Sequence, residues 1–335
     1  MSSNTRGDVD AVVDVVVVGA GLAGATAARE LAEGGLRVRV LDKGRGLWGC
    51  VTMRRPPGST PYWSAAALQA DDPSFVAWLE AQRAAGRAAL TVPGWVGVPG
   101  MNALVASLLE GLDVHWSTTV TALESAEGAW CVRDESGAAL ASARGVIIAI
   151  PAPQACALLG TLAGGMEADV QSLVHRLAAV RYAPCWAGLL AVDDDGAARA
   201  APFDAVDGLE AIVREADKPG RVGLGHWVVH ASAAWSDAHL ELAAVDIATK
   251  LAAMLAAAIG IEPGRIRSAS AHRWRYARPT GGVEAEAADG IEGLAIAGDA
   301  VGWRPGGHAA EQAWRSGRTA ALRVMGMLSR SASRG

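Results

Sequence analysis

Three glycines and one carboxylate near the start of the chain have the spacing of a phosphate-binding turn. Gly19, Gly21 and Gly24 form the motif GAGLAG directly after a run of valines, and Asp42 ends the next apolar segment. In a GxGxxG motif the first glycine permits a tight turn, the second leaves room for a pyrophosphate, and the third lets the helix pack closely on the strand. Amide N–H groups at the helix start bind phosphate, and the carboxylate accepts hydrogen bonds from ribose hydroxyls. These residues predict a dinucleotide site.

A second candidate turn lies near the C-terminus. Gly293–Asp299, GLAIAGD, is a short apolar segment that ends in Gly298-Asp299. In two-motif flavoproteins such a segment returns to the sheet, its aspartate binds the ribityl or pyrophosphate part of FAD, and the next helix points its N-terminus at the flavin ring. Together with the Gly/Arg-rich loop after Asp42, this favours FAD over NAD; an ordinary strand-to-helix turn is the alternative. The predicted cofactor-binding residues are Gly19, Gly21, Gly24, Asp42, Lys43, Arg45, Gly298, Asp299, Gly306 and Gly307.

The elements around these motifs form a βαβ unit. Val12–Val18 is a nearly continuous β-branched run, which predicts a strand buried on both faces of a parallel sheet. A helix over Ala25–Glu33 and a second strand over Leu36–Leu41 follow it. Near the other end, Leu294–Ala297 predicts a short buried strand and Ala309–Met325 a final helix. The two ends of the chain are therefore expected to form one domain.

The middle of the chain predicts further strands and helices. A helix is expected to start at Asp71-Asp72-Pro73, and an amphipathic helix is expected over residues 240–259. Its predicted inward-facing residues are Leu242, Val245, Leu251, Leu255 and Ile259. The predicted strands are Val114–Leu123, Ala129–Arg133, Gly145–Ile150, Pro184–Val192, Glu210–Arg214 and Val222–His230, of which the last three form a separate sheet.

These elements together define a fold class. We predict an α/β protein with a Rossmann-like FAD-binding domain and an inserted α+β substrate domain that contains an antiparallel sheet. The predicted FAD-binding domain comprises residues 10–70, 100–155 and 265–330, and the substrate domain comprises residues 71–99 and 156–264.

Composition excludes several classes of protein. The chain has 335 residues, of which 51% are hydrophobic and 19% charged, so it is not disordered. A pI near 5.8 argues against nucleic acid or an anionic membrane as a partner. The four cysteines have no metal-ligand spacing, no apolar stretch approaches the roughly 18 residues that span a bilayer, and the first ten residues are polar. We expect a cytoplasmic protein with a small-molecule substrate and no metal; the oligomeric state is left open.

Longer segments of the chain have the pattern of a known family. These segments are VVVVGAGLAGATAARELAEGG, Asp42–Gly46, Val96–Leu104, Ile148–Ala155, Tyr182–Leu189, Trp227–Glu241, His272–Pro279, and GDAVGW and EQAWRSG before and after Gly306-Gly307. In them the chain resembles the bacterial renalase-like branch of the flavin amine-oxidase superfamily. The resemblance implies noncovalent FAD, a Rossmann-like FAD domain, a substrate domain with an antiparallel sheet, and hydride transfer to flavin N5.

Two segments depart from the pattern of these relatives. Trp48-Gly49-Cys50 stands where relatives have Gly-Gly-Arg, and Trp63–Leu68 replaces a polar stretch resembling His-Gly-Ala-Gln-Tyr-Phe. Trp48 and Trp63 are therefore candidates for a rebuilt substrate pocket. Cys50 is a weak candidate for a covalent flavin thioether, because nothing except nearby arginines would lower its thiol pKa.

The catalytic candidates lie in one loop. His308, at the start of the last helix, would orient the substrate or stabilise negative charge at the flavin, unless it is simply an exposed helix-start histidine. Trp303 and Arg304 line the pocket or lie on the surface. His226 and His230 share one face of a strand and form either the pocket floor or part of the scaffold, and Trp186 has the same two interpretations.

Three functional hypotheses follow. The first is an FAD-dependent oxidase that takes a hydride from a carbon beside nitrogen, in an amine or a dihydropyridine-like molecule, and passes the electrons to O2; no second dinucleotide motif is present for NAD(P)H. The second is a tailoring desaturase or cyclase that keeps FAD in a changed pocket. The third is a non-catalytic flavin-binding module.

Overall fold

The strands and helices follow the apolar segments of the sequence. The computed structural model describes residues 12–46, 67–92, 94–126, 128–162, 167–193, 207–221 and 225–332. Its strands are β1 (Val12–Val18), β2 (Val38–Leu41), β3 (Ala88–Thr91), β4 (Gly94–Gly97), β5 (Asp113–His115), β6 (Ala122–Ala126), β7 (Ala129–Arg133), β8 (Ala139–Ile148), β9 (Tyr182–Val192), β10 (Leu209–Arg214), β11 (His226–Ala231), β12 (Ile266–Pro279) and β13 (Leu294–Ile296). Its helices are α1 (Leu22–Glu33), α2 (Pro73–Ala84), α3 (Asn102–Leu109), α4 (Ala152–Leu159), α5 (Glu167–Ala178), α6 (Ala233–Ala238), α7 (Ala244–Ile259) and α8 (Ala309–Ala332).

The first of two compact units contains both ends of the chain. It comprises residues 1–49, 105–181 and 281–335. Its sheet has the order β5-β2-β1-β8-β7-β6, and β13 pairs with β8. Strand β1 lies between β2 and β8 and is parallel to both, which confirms the buried parallel strand predicted from its valines. Because β1, β2 and β13 run in the same direction, their carboxyl ends meet at one edge of the sheet.

Small residues let the helices of this unit approach one another. A Cβ at Gly24, in α1, would overlap the carbonyl oxygen of Gly19. A Cβ at Gly317, in α8, would overlap the carbonyl oxygen of Ala23. These contacts hold α1 against the end of β1 and α8 against α1. The last helix extends to Ala332, beyond the predicted end at Met325.

The second unit contains an antiparallel sheet, as predicted. It comprises residues 50–104 and 182–280, and its larger sheet has the order β10-β11-β9-β12 with antiparallel neighbours throughout. One face of this sheet packs on α7. The buried residues of that core are Trp186, Leu190, Val192, Ile212, Trp227, Val229, Ala231, Ile247, Leu251 and Leu255.

The prediction is wrong for two of the inward-facing residues assigned to α7. Leu242 precedes the helix and is 42% exposed, and Val245 is 72% exposed. Residues of α7 are apolar on most sides, so periodicity alone did not fix which side is buried. The buried side carries Ile247, Leu251 and Leu255.

The predicted strand over Val114–Leu123 is also wrong. The chain forms β5, leaves the sheet at Ser117, which has a φ of 55°, and returns as β6. The N–H of Ser117 donates to the carbonyl of Gly44 and the N–H of Thr118 to that of Asp42, so this segment supports the loop after β2. Helix α5, in which half of the residues are polar, was not predicted.

The two units divide the chain differently from the predicted domains at four places. Residues 156–181 belong to the first unit, and residues 50–70, 100–104 and 265–280 belong to the second, the reverse of the predicted assignment. The predicted roles, an FAD domain and a substrate domain, remain predictions. Within the described residues, no helix is both long and apolar enough to cross a bilayer.

The core of the second unit gives a stability prediction. Trp227 is 0% exposed among the aliphatic residues that face α7, so Trp227→Ala leaves a cavity and is expected to lower the free energy of unfolding by about 3–5 kcal/mol. Urea unfolding followed by far-UV circular dichroism measures it. Leu242→Ala, at the exposed position before α7, is the control and should change it by less than about 1 kcal/mol. Equal effects from both variants would contradict the assignment of the core.

Candidate functional site

The glycine turn at the end of β1 has the geometry of a phosphate cradle. Gly19 has a φ of 105°, and a Cβ there would overlap the carbonyl oxygen of Ala149. Its N–H donates to the carbonyl of Leu41 at 2.8 Å, which joins the turn to the end of β2. Helix α1 starts three residues later with Gly21 at its N-cap, and no side chain caps that end. The cap residue therefore accepts no hydrogen bond through a side chain from the amide N–H groups of the first turn, and these groups can donate to a phosphate.

Gly21 differs from its two neighbours in the motif. A Cβ at Gly21 would meet no protein atom within 4 Å, whereas one at Gly19 or Gly24 would overlap a backbone oxygen. Its φ of −68° is available to any residue, so conformation does not require glycine there. The space beside Gly21 is thus open, as a pyrophosphate that lies against the backbone requires.

Asp42 holds this turn to the loop that follows β2. One carboxylate oxygen accepts a hydrogen bond from the N–H of Ala20 at 2.7 Å, and the other accepts one from the N–H of Gly44 at 2.7 Å. Burial raises the pKa of Asp42, against the two backbone hydrogen bonds. Each oxygen keeps a further lone pair, so the carboxylate can also accept from a ribose hydroxyl.

Asp299 lies after β13 at the same edge of the sheet. Its carboxylate accepts hydrogen bonds from its own N–H and that of Ala300, and burial raises its pKa to about 6. Among the described residues, no cation contributes to this pKa. A half-buried carboxylate without a cation is stabilised by each further hydrogen bond that it accepts. The hydroxyl groups of a ribityl chain or a ribose are suitable donors.

The loop between β13 and α8 contains the catalytic candidates. Val301 forms a bridge with Val283, and the carbonyl of His308 accepts from the N–H of Gln312 at the start of α8. Trp303 and His308 are half-buried, and Arg304 is exposed, as are Gly306 and Gly307. The structure brings these five residues into one loop, and their roles remain predictions.

The other predicted residues after β2 are on the surface. Lys43 Nζ donates to Gln154 Oε1 at 3.2 Å, and Arg45 is exposed. Trp48, Cys50 and Trp63 lie outside the described residues.

The substrate-pocket candidates of the second unit do not share one face. His226 and His230 are half-buried and lie on the same face of the sheet as buried Val228. Trp186 lies on the opposite face, in the core against α7, where its indole N–H donates to the carbonyl of His239 at 3.1 Å. The structure therefore separates Trp186 from the two histidines and places it in the scaffold. Strand alternation alone did not show which face a helix covers.

Family models match both motif regions. One for an NAD(P)-binding Rossmann-like domain matches residues 17–81, and one for flavin-containing amine oxidoreductases matches residues 62–325, most of the chain. The chain belongs to the flavin-containing amine oxidoreductase family. As a member of this family it is an FAD-dependent oxidoreductase, and the open space at Gly21 and the half-buried carboxylate of Asp299 suit FAD.

Named proteins share part of the sequence or the fold of this chain. The tRNA 5-methylaminomethyl-2-thiouridine biosynthesis bifunctional protein MnmC of Ralstonia nicotianae is 26% identical in a 266-residue alignment that covers 57% of this chain. The match spans only 40% of that protein. Putrescine oxidase bound to putrescine has a TM-score of 0.62 at 12% identity, over 95% of this chain and 100% of that one. Cyclohexylamine oxidase from Brevibacterium oxydans IH-35A has a TM-score of 0.62 at 14% identity, over 95% and 99%. At such identities the solved structures show the fold.

Ser316 is a residue of the amine oxidoreductase fold that sequence reasoning missed. It is 4% exposed in α8, and its hydroxyl contacts both the N–H and the carbonyl of Gly298. The segment EQAWRSG, which contains it, is one of the family-like segments. Only the fold shows which backbone its hydroxyl meets.

The charge state of Asp299 gives a prediction about pH. Its folded-state pKa of about 6 exceeds the ordinary value of 3.8. Between these pH values the folded chain binds a proton that the unfolded chain lacks, so the free energy of unfolding falls as pH rises through this range and stays lower above it. Asp299→Asn removes this penalty and is expected to stabilise the apoprotein by about 3 kcal/mol at neutral pH, with no gain below about pH 4. Thermal unfolding over a pH series measures it.

Asp14 provides a control of opposite sign. Despite burial, hydrogen bonds from Arg37 and Arg144 lower its pKa to about 2. Asp14→Asn should therefore destabilise the apoprotein at neutral pH, and its effect should shrink as pH falls through this pKa. An Asp299→Asn variant that is no more stable than the wild type at neutral pH would contradict the burial of an uncompensated carboxylate.

Proposed function

We propose that this protein oxidises a C–H bond beside nitrogen in a small amine or dihydropyridine-like molecule. The observation that carries the proposal is the combination, at one edge of one sheet, of an open glycine cradle at Gly21 and a half-buried carboxylate with a raised pKa at Asp299, in a member of the flavin-containing amine oxidoreductase family. FAD held by these residues would supply the hydride acceptor, with O2 as the proposed oxidant that regenerates it. The chain then has to hold the cofactor and orient the substrate.

The cofactor residues have separate tasks. Gly19 and Gly24 shape the turn, and Gly21 admits the pyrophosphate. The carboxylates of Asp42 and Asp299 accept hydrogen bonds from the ribose and from the ribityl chain. Lys43, Arg45, Gly298, Gly306 and Gly307 complete the proposed set.

FAD is proposed to be noncovalent. Burial raises the pKa of Cys185 to about 11 and also raises that of Cys156, so neither thiol is disposed to act as a nucleophile.

Substrate contacts are proposed for each unit by itself. In the first unit, His308, Trp303 and Arg304 follow Asp299 in the chain and are proposed to face the reacting carbon. In the second unit, the half-buried His226 and His230 lie on the face of the sheet opposite α7 and are proposed to line a substrate pocket. Trp186 is left out of this set.

The branch of the superfamily, the cellular location and the kind of partner are also part of the proposal. The motif segments from Asp42–Gly46 to EQAWRSG favour the renalase-like branch of the superfamily, and we expect a cytoplasmic protein that acts on a small molecule without nucleic acid or a membrane as a partner. Putrescine and cyclohexylamine, which give two structural relatives their names, are the first amines to test.

Aerobic turnover tests the proposal. Purified holoenzyme is mixed with putrescine, cyclohexylamine, benzylamine and a reduced nicotinamide analogue, and O2 uptake and H2O2 are recorded, with Gly21→Val as the flavin-free control. We expect peroxide in proportion to oxidised product with at least one compound, and none from the control. Product formation without O2 uptake or flavin reduction would instead support the tailoring enzyme. Retained FAD with no reaction of any kind would support the non-catalytic module.

A further inference from the structure

The hydroxyl of Ser316 binds the backbone of the turn that carries Asp299. The N–H of Gly298 donates to Ser316 Oγ at 2.9 Å. Ser316 Oγ also lies 2.8 Å from the carbonyl oxygen of Gly298 and 2.9 Å from that of Ala313, and its single hydrogen is donated to one of them. Both backbone polar groups of Gly298 are thus within hydrogen-bond reach of one buried side chain, 18 residues further along the chain.

Gly298 needs this support because it lies where the sheet ends. Strand β13 stops at Ile296, and Ala297 makes the last backbone hydrogen bond to β8, through the carbonyl of Ile148. Gly298 then takes a φ of 150°, which glycine adopts readily and other residues do not. Ser316 replaces the ladder partner at this point, and Asp299 is the next residue.

Helix α8 is itself fixed to the glycine turn. Gly317 lies against the carbonyl of Ala23, one residue before Gly24. Arg318 Nε donates to Glu30 Oε1 in α1 at 2.7 Å, and its guanidinium lies 4.8 Å from the ring centroid of Trp314. Ser316 and Gly317 are consecutive in α8. Ser316 contacts the turn with Asp299, and Gly317 contacts the start of α1 next to the turn with Gly21.

We propose that Ser316 is a positioning residue of the FAD site. It fixes the Gly298-Asp299 turn so that the Asp299 carboxylate faces the same cofactor as the Gly21 cradle. The inference rests on the proposed assignment of Asp299 to FAD. The competing explanation is that Ser316 stabilises only the packing of α8, through its contact with Ala313.

A double-mutant cycle on FAD affinity separates the two explanations. FAD is titrated into apoprotein of the wild type, Ser316→Ala, Asp299→Asn and the double variant, and the dissociation constant is read from the quenching of flavin fluorescence. Ser316→Ala is expected to weaken FAD binding about tenfold, because it leaves the N–H of Gly298, next to Asp299, without its hydrogen-bond partner. In the Asp299→Asn background the same change should have an effect below about twofold. Ser329→Ala, at an exposed position of α8, is the control and should leave affinity unchanged.

Several outcomes would overturn the proposal. An equal loss of affinity in both backgrounds would show that Ser316 acts on the fold rather than through Asp299, and no loss at all would remove its role. Ser316→Thr keeps the hydroxyl and should bind FAD within about threefold of the wild type; a threonine variant as weak as alanine would exclude the hydroxyl as the cause.

The design allows for an insoluble variant and for failure of the proposed reaction. If Ser316→Ala yields no soluble protein, Ser316→Cys replaces it, since a thiol has similar volume and is a weaker hydrogen-bonding group. The cycle measures binding alone, so absence of amine turnover leaves its result intact. Unchanged affinity in Asp299→Asn would contradict the assignment of Asp299, and with it this inference.

Discussion

Replacing Gly21 by valine is expected to abolish FAD retention while leaving the apoprotein folded. The side chain would enter space that contains no protein atom within 4 Å, so it has nothing in the chain to displace. The backbone at Gly21 has a φ of −68°, which valine adopts, and loss of glycine at an N-cap costs about 1 kcal/mol. The same methyl groups would occupy the place of the pyrophosphate, and we expect affinity for FAD to fall by at least about 100-fold.

The measurement has two parts and a matched control. The flavin-to-protein ratio after purification, followed by titration of apoprotein with FAD, gives the affinity, and thermal unfolding gives the stability. Gly264→Val makes the same change at an exposed glycine of the second unit that also has open space around its Cβ, and it should retain FAD. Stoichiometric FAD in Gly21→Val would contradict the placement of the pyrophosphate.

Gly24→Ala is expected to cause a large loss of stability in the apoprotein, in contrast to Gly21→Val, which leaves the apoprotein folded. A glycine inside a helix normally costs about 1 kcal/mol relative to alanine, so alanine should stabilise α1 if the helix were isolated. Here the Cβ would overlap the carbonyl oxygen of Gly19 and lie 3.1 Å from the Cβ of Ala149. Both atoms belong to the sheet edge, so α1 has to move away from β1. We expect a loss of more than about 4 kcal/mol, or no soluble protein.

Chemical unfolding of the apoprotein checks this prediction. Gly326→Ala is the matched control, because Gly326 lies in α8 and its Cβ would approach only the mobile end of Arg330, at 3.4 Å. That change should stabilise by about 0.5–1 kcal/mol. A Gly24→Ala variant as stable as the wild type would mean that α1 does not pack on the turn as described.

The cofactor side of the molecule was largely predictable from sequence because its constraints are local. A β-branched run buried on both faces, a GxGxxG turn and a carboxylate at the end of the next strand each follow from backbone conformation within a few residues. The structure confirms β1 and its parallel pairing with both neighbours, and it joins Asp42 to the turn through the N–H of Ala20.

What sequence reasoning missed depends on contacts distant in the chain. The alternation of side chains placed His226 and His230 on one face of a strand. Packing decides which face of the sheet α7 covers, and therefore whether Trp186 is buried. The buried side of α7 could not be chosen among its many apolar residues. The contact between Ser316 and Gly298 joins residues of two different elements and has no local signal.

The proposed reaction itself is tested most directly without oxygen. Holoenzyme is mixed anaerobically with cyclohexylamine or putrescine, each with hydrogen or deuterium on the carbon bound to nitrogen, and the absorbance of oxidised flavin is followed. We expect at least one amine to bleach the flavin, and the deuterated form to do so more slowly, because this C–H bond breaks in the step. Flavin that dithionite reduces but that no amine or reduced pyridine bleaches would contradict oxidation beside nitrogen.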